Sequence, residues 1–191
     1  MRTVLRALWI GEPSEQQPTI GWHVHGARGP DEAGRQVAIS AWTFPSCYSR
    51  NMGSGLYKFY YGPADGFMFL VDARDVTAYD ARDKLGRMMS EPESQGKPLL
   101  VYANFSDKLQ AETPPETTQA AAQAPASCTE EARISEALGL DELSARFGSP
   151  VDVQLTSAVS DPEVSGVTRG YERLMISIAG QRAKKREGTR A

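Results

Sequence analysis

Cysteine and histidine are scarce in this chain, and each scarcity closes off a class of chemistry. Two cysteines, Cys47 and Cys128, are too few for a disulfide framework, so a reducing compartment is the expectation. His23 and His25 share one face of an expected strand, but a zinc site needs a further ligand, and they read as solvated strand histidines with no metal centre. A strong excess of one charge sign is missing too. Lys and Arg number 21 against 24 Asp and Glu, a formal net charge of -3, which leaves no nucleic-acid signature. No apolar run approaches the roughly 20 residues that span a bilayer. The apolar opening MRTVLRALWI meets Glu12 and Glu15 with no small-residue cleavage site, which argues against a signal peptide. The chain also lacks the Gly-rich loop closing on Gly-Lys-Ser or Gly-Lys-Thr that cradles phosphate between a strand and a helix. The nearest string, Gly29-Pro-Asp-Glu-Ala-Gly34-Arg35-Gln36, puts acids where phosphates would sit and is followed by a strand.

What is present is an α/β pattern. At 191 residues and 20.8 kDa the chain fits one domain with a sizeable core. Residues 67–71 (FMFLV) and 99–103 (LLVYA) are continuous apolar runs, as expected of parallel strands covered on both faces. Between them Leu85, Met88 and Met89 recur at helical spacing, with Asp80, Arg82, Asp83 and Arg87 on the wet face. Residues 130–138 and 166–179 read as helices and 151–156 as a strand. Residues 26–34 (GARGPDEAG) read as a long hairpin loop between strands at 22–25 and 37–42. Residues 111–127 are rich in Pro, Ala, Thr and Gln, too poor in large apolar groups to offset ordering entropy, and read as a flexible insert. Residues 182–191 read as a basic, disordered tail. Strands alternating with helices give a three-layer sandwich on a mostly parallel sheet.

Several segments carry a resemblance in the right order. Pro18-Thr19-Ile20-Gly21-Trp22-His23-Val24 resembles the PTIGFNV switch segment of the ADP-ribosylation-factor (Arf) small GTPases, and Trp42 falls at the Trp of their WDVGGQ motif. Asp72-Ala73-Arg74-Asp75 resembles the turn of VVDSSDRER, and residues 78–89 the helix EARDELHRML. Asn104-Phe105-Ser106-Asp107 stands where the family has Asn-Lys-x-Asp. Leu138-Gly139-Leu140 and Gln154-Leu155-Thr156-Ser157-Ala158 match the late helix and the last loop on the base. The resemblance covers residues 1–181, opening on the first helix, and implies a small-GTPase (P-loop NTPase-like) fold missing its first strand. That strand would lie between 37–42 and 67–71, so its absence is expected to leave unpaired edges in mid-sheet and a chain of low stability.

The resemblance implies a GTP-binding regulatory protein of vesicle trafficking, with GTP or GDP and Mg²⁺ as cofactors and effector or regulator proteins as partners. It implies guanine contacts from Asn104, Asp107, Ser157 and Ala158, a γ-phosphate sensor at Thr19, and an effector surface from Trp22, Trp42 and Tyr60 (or its neighbour Tyr61). Phe105 replaces the Lys whose stem lies along the purine, and an aromatic face also stacks on a base. Three motif positions are altered: Thr43 for the Asp behind Mg²⁺, Ser46 for the Gly that meets the γ-phosphate, and Cys47 for the water-positioning Gln. No residue is therefore assigned a catalytic role, and Cys47 reads as a small half-buried thiol. Each charge-assisted phosphate bond is worth about 1.5–3 kcal/mol, so losing several removes about 8 kcal/mol, roughly 10⁶-fold in affinity. A nucleotide-free pseudo-GTPase serving as an interaction module, or a truncated gene product, is the second reading. Arg2 stands where N-myristoylation requires Gly. The location implied is cytoplasmic, peripheral at Golgi or endosomal membranes.

Overall fold

The computed structural model describes residues 23–31, 33–43, 58–77, 80–106, 129–157 and 166–188. In chain order these form β1 (His23–Pro30), β2 (Gln36–Thr43), the single turn α1 (Lys58–Tyr61), β3 (Phe67–Asp72), α2 (Ala81–Ser90), β4 (Leu99–Asn104), α3 (Glu130–Leu138), α4 (Leu140–Phe147), β5 (Val151–Leu155) and α5 (Val167–Gly188).

The apolar runs behave as parallel strands. β4 lies between β3 and β5 and pairs parallel to both, with Phe67, Leu99 and Val151 side by side in the register. Successive side chains of a strand point to opposite faces, and the two faces are covered by different helices. Leu99, Val101 and Ala103 pack with Leu85 and Met89 of α2, Ile134 and Leu138 of α3, and Leu140 of α4. Leu100 and Tyr102 pack with Val167, Leu174 and Ile178 of α5. The result is the expected three layers. Thr129 caps α3 by accepting from the Ala132 N–H at 3.3 Å, and Gly139, at φ 66°, ends α3 and opens α4.

β1 and β2 form a separate antiparallel ladder, and among the described residues no ladder joins it to β3. Phe67 N–H donates to the Pro98 carbonyl and Ala73 N–H to that of Asn104. The intervening backbone groups of Met68 and Leu70 therefore face the outer edge, where no described strand pairs with them. β3 is accordingly half-buried along its whole length, whereas β4 is buried through Ala103. Among the described residues this edge of β3 has no partner strand, and β2 does not pair with it.

Three local expectations need correction. The hairpin loop is shorter than residues 26–34, because β1 runs through Gly26–Pro30 against Gln36–Ser40. Pairing overrides the weak strand preference of Gly-Ala-Arg-Gly-Pro, and the reversal occupies only 31–35. There the Asp31 carboxylate accepts from Ala33 N–H at 2.9 Å, Arg35 N–H at 2.8 Å and Arg35 Nε at 2.7 Å. The tail expected to be disordered from Arg182 is helical to Gly188. Ala183, Lys184, Lys185, Arg186 and Glu187 are strong helix formers, and Arg182 pairs with Asp65 at 2.8 Å. The one-turn α1 was not legible in sequence. Its last carbonyl, on Tyr61, and the next, on Gly62, accept from Lys97 Nζ, the latter at 2.7 Å. The insert at 111–127 lies outside the described residues.

Two glycines of α5 separate by environment. A Cβ on Gly170 would sit 2.5 Å from Tyr102 Cε1, whereas one on Gly180 meets nothing within 4 Å. Gly170→Ala should cost about 1–3 kcal/mol, read as a thermal midpoint several degrees lower by circular dichroism. Gly180→Ala should instead raise stability by about 0.5–1 kcal/mol.

The Tyr102 hydroxyl is buried and donates to the Val167 carbonyl at 2.6 Å, and burial pushes its ionisation up. The folded state thus keeps a proton that the unfolded chain releases near pH 10. This contribution is fully present below about pH 10 and is lost as pH rises beyond it. Urea melts from pH 8 to 11 should show stability falling above about pH 10, with a shallower fall in Tyr102→Phe.

Candidate functional site

Parallel strands joined by crossovers end at one edge of the sheet, and α/β proteins bind ligands at that edge. Three loops meet there, following β3, β4 and β5. Backbone hydrogen bonds lock them together. Thr156 N–H donates to the Ala103 carbonyl at 2.8 Å, Ser106 N–H to the Thr156 carbonyl at 3.1 Å, and Ala73 N–H to the Asn104 carbonyl at 2.9 Å. Thr156 is 0% exposed and Ser157 5%, so the first residues after β5 are buried. Gly166 at φ 72° reinforces this, since a Cβ there would lie 2.3 Å from the Leu155 carbonyl oxygen.

The loop after β3 is organised by charge. Arg74 makes a two-pronged ion pair with Asp72, Nε to Oδ1 at 2.9 Å and Nη2 to Oδ2 at 2.6 Å, while its own N–H donates to Oδ1 at 3.0 Å. Arg133 of α3 donates from Nη2 to the Ala73 carbonyl at 2.8 Å and pairs through Nε with Glu130 at 2.7 Å. The turn is therefore held from two directions.

Phe105 is the unusual residue of the loop after β4. Its φ of 68° is left-handed, a conformation that costs a non-glycine residue about 1–2 kcal/mol. The Arg74 guanidinium carbon lies 4.5 Å from the Phe105 ring centroid, within cation–π range. Asp72 thus holds the cation that covers the ring. The sequence singled out Phe105 as a stacking residue, but it held no signal for the pairing with Arg74.

Of the residues implied by resemblance, Asn104 closes β4 and Ser157 follows β5, and the Ser106–Thr156 hydrogen bond brings their loops together. Trp42 and Tyr60 meet with ring centroids 4.7 Å apart, tilted by 35°, and Trp42 is 42% exposed. Phe59, beside Tyr60, is 72% exposed. Asp107, Ala158, Thr19 and Trp22 lie outside the described residues, as do Ser46 and Cys47.

Asn104, Phe105 and Ser157 thus stand on loops that these backbone hydrogen bonds join. Among the described residues no group of three or more His, Cys, Asp or Glu side chains is placed to hold a metal ion. No described helix is long and apolar enough to cross a membrane.

The model of the ADP-ribosylation factor family matches residues 2–178. That match takes in the parallel sheet, its carboxyl-edge loops and the hairpin beside it. With its small-GTPase-like α/β fold, the chain belongs to the ADP-ribosylation factor family.

Proposed function

We propose that this chain is a regulatory protein of vesicle traffic that recognises guanine nucleotide mainly through the base and turns GTP over poorly or not at all. The observation that carries this is the joining of the Asn104 and Ser157 loops through Ser106 and Thr156 at the carboxyl edge of the sheet. On this reading Asn104 ties the loops below the ring, Asp107 accepts from the guanine N–H donors, and the Ser157–Ala158 backbone closes over it. A carboxylate facing those donors selects guanine, because adenine would leave its oxygens opposed to an acceptor. Thr19 stands where relatives of this kind would hold Mg²⁺, which would neutralise phosphate charge when bound. Thr43, Ser46 and Cys47 do not reproduce the groups that act with it, so no hydrolytic step is assigned to them.

The second reading is a nucleotide-free interaction module. The Trp42–Tyr60 pair supports it, since a half-exposed aromatic surface beside Phe59 suits a partner protein whether or not nucleotide binds. Both readings place the protein in the cytoplasm, peripheral to Golgi or endosomal membranes.

Isothermal titration of residues 1–191 with GDP, GTP and ADP in Mg²⁺ separates the two. The expected outcome is guanine-selective binding weaker than about 1 μM, the selectivity vanishing in Asp107→Ala and surviving in Cys47→Ala. Submicromolar MgGTP binding would overturn the weak phosphate end. No detectable binding of any nucleotide would leave the interaction module as the reading.

A further inference from the structure

We propose that Arg74 is a positioning residue for base binding, holding the Phe105 ring as the platform on which the purine stacks. This rests on the guanine reading given above and adds to it two residues that act on stacking rather than on base identity. Four observations converge. Phe105 stands in the left-handed region although it is neither glycine nor asparagine, so the surrounding structure imposes its orientation. Its ring carries the Arg74 guanidinium at 4.5 Å. Arg74 in turn is clamped by both carboxylate oxygens of Asp72, the residue opposite Asn104 in the strand register. Finally, Phe105 as a residue is half-buried, at the carboxyl edge of the sheet.

Strand order decides which side each group takes. Arg74 follows β3 and Ser157 follows β5, on opposite sides of β4, whose end carries Phe105. Phe105 therefore stands between the cation and the loop expected to close over the base. An aromatic ring stacks on any purine, since every base has a π-face. The platform should set how tightly nucleotide binds without setting which base is preferred. Asp107 should set which base is preferred, so that its loss lowers GDP affinity and narrows the ratio between nucleotides.

Affinities for GDP and inosine diphosphate separate the two roles, because inosine lacks the exocyclic amine of guanine and stacks alike. Phe105→Leu should weaken both nucleotides by the same factor, about tenfold, leaving their ratio unchanged. Phe105→Tyr should restore both. Arg74→Ala should weaken both equally and more mildly, about threefold, with Arg74→Lys partly restoring them. Tryptophan emission should change more on adding GDP in Phe105→Trp than in the parent chain, whose Trp9, Trp22 and Trp42 set the baseline, a difference that a merely structural ring would not show. The proposal is overturned if Phe105→Leu and Arg74→Ala leave GDP affinity unchanged while Asp107→Ala lowers it. It is equally overturned if Arg74→Ala strengthens binding, since the cation would then be occupying the place of the base. If neither Asp107→Ala nor the platform variants matter, or nothing binds, the guanine reading itself fails and the platform with it.

Discussion

Burial of β4 on both faces and pairing on both edges is the constraint on which the rest of the structure depends. Leu100, Val101, Tyr102 and Ala103 are each 0% exposed because β3 and β5 flank them and two sets of helices cover them. Each large apolar side chain taken fully out of water contributes about 1.5–3 kcal/mol, and no other strand concentrates them this way among the described residues. Parallel pairing also carries a geometric consequence. Strands that run the same way need crossovers of helix between them, so their carboxyl ends collect at one edge. Asp72, Asn104 and Ser157 meet because β4 holds its neighbours in register, not because they are near in sequence.

The same constraint explains how differently the two edges of the sheet behave. On the β5 side the chain is closely packed. Gly166 and Gly170 let α5 approach Leu155 and Tyr102 at distances that any Cβ would forbid. On the β3 side, pairing among the described residues stops at a strand that is half-buried throughout. The hairpin beyond it keeps its own ladder and meets the remainder through contacts such as Trp42 on Tyr60, with α1 in turn anchored by Lys97. The loops after β4 and β5 are thus built on the most buried part of the sheet, while the aromatic surface is built on the part tied to it by side chains.

Two kinds of group share the carboxyl edge, and they differ in what they demand of the fold. On the proposed reading, hydrogen bonds to a base need particular atoms on particular loops, and the strand ends bring the Asn104 and Ser157 loops together. A stacking platform needs a ring held at a fixed tilt, which a single loop residue rarely achieves alone. Here a cation and its carboxylate partner supply the restraint, and the left-handed backbone at Phe105 is the local strain it sustains.

Sequence alone determined the elements whose signal is local. The apolar runs at 67–71 and 99–103 read as buried strands because continuous hydrophobicity excludes an exposed face, and 130–138 read as a helix, whose Thr129 cap and Gly139 stop the structure added. Asn104 and Ser157 were legible because each ends or follows a strand in a recognisable string. Tertiary structure decided everything that required two distant segments. Residues 26–30 became strand only because a partner at 36–40 lay opposite, and 182–188 stayed helical with Asp65 in reach. Arg74 and Phe105 lie on loops after different strands, and only the alignment of Asp72 with Asn104 brings cation and ring together. Periodicity and propensity report how a segment prefers to fold, whereas contact between segments is set by register, which no single segment contains.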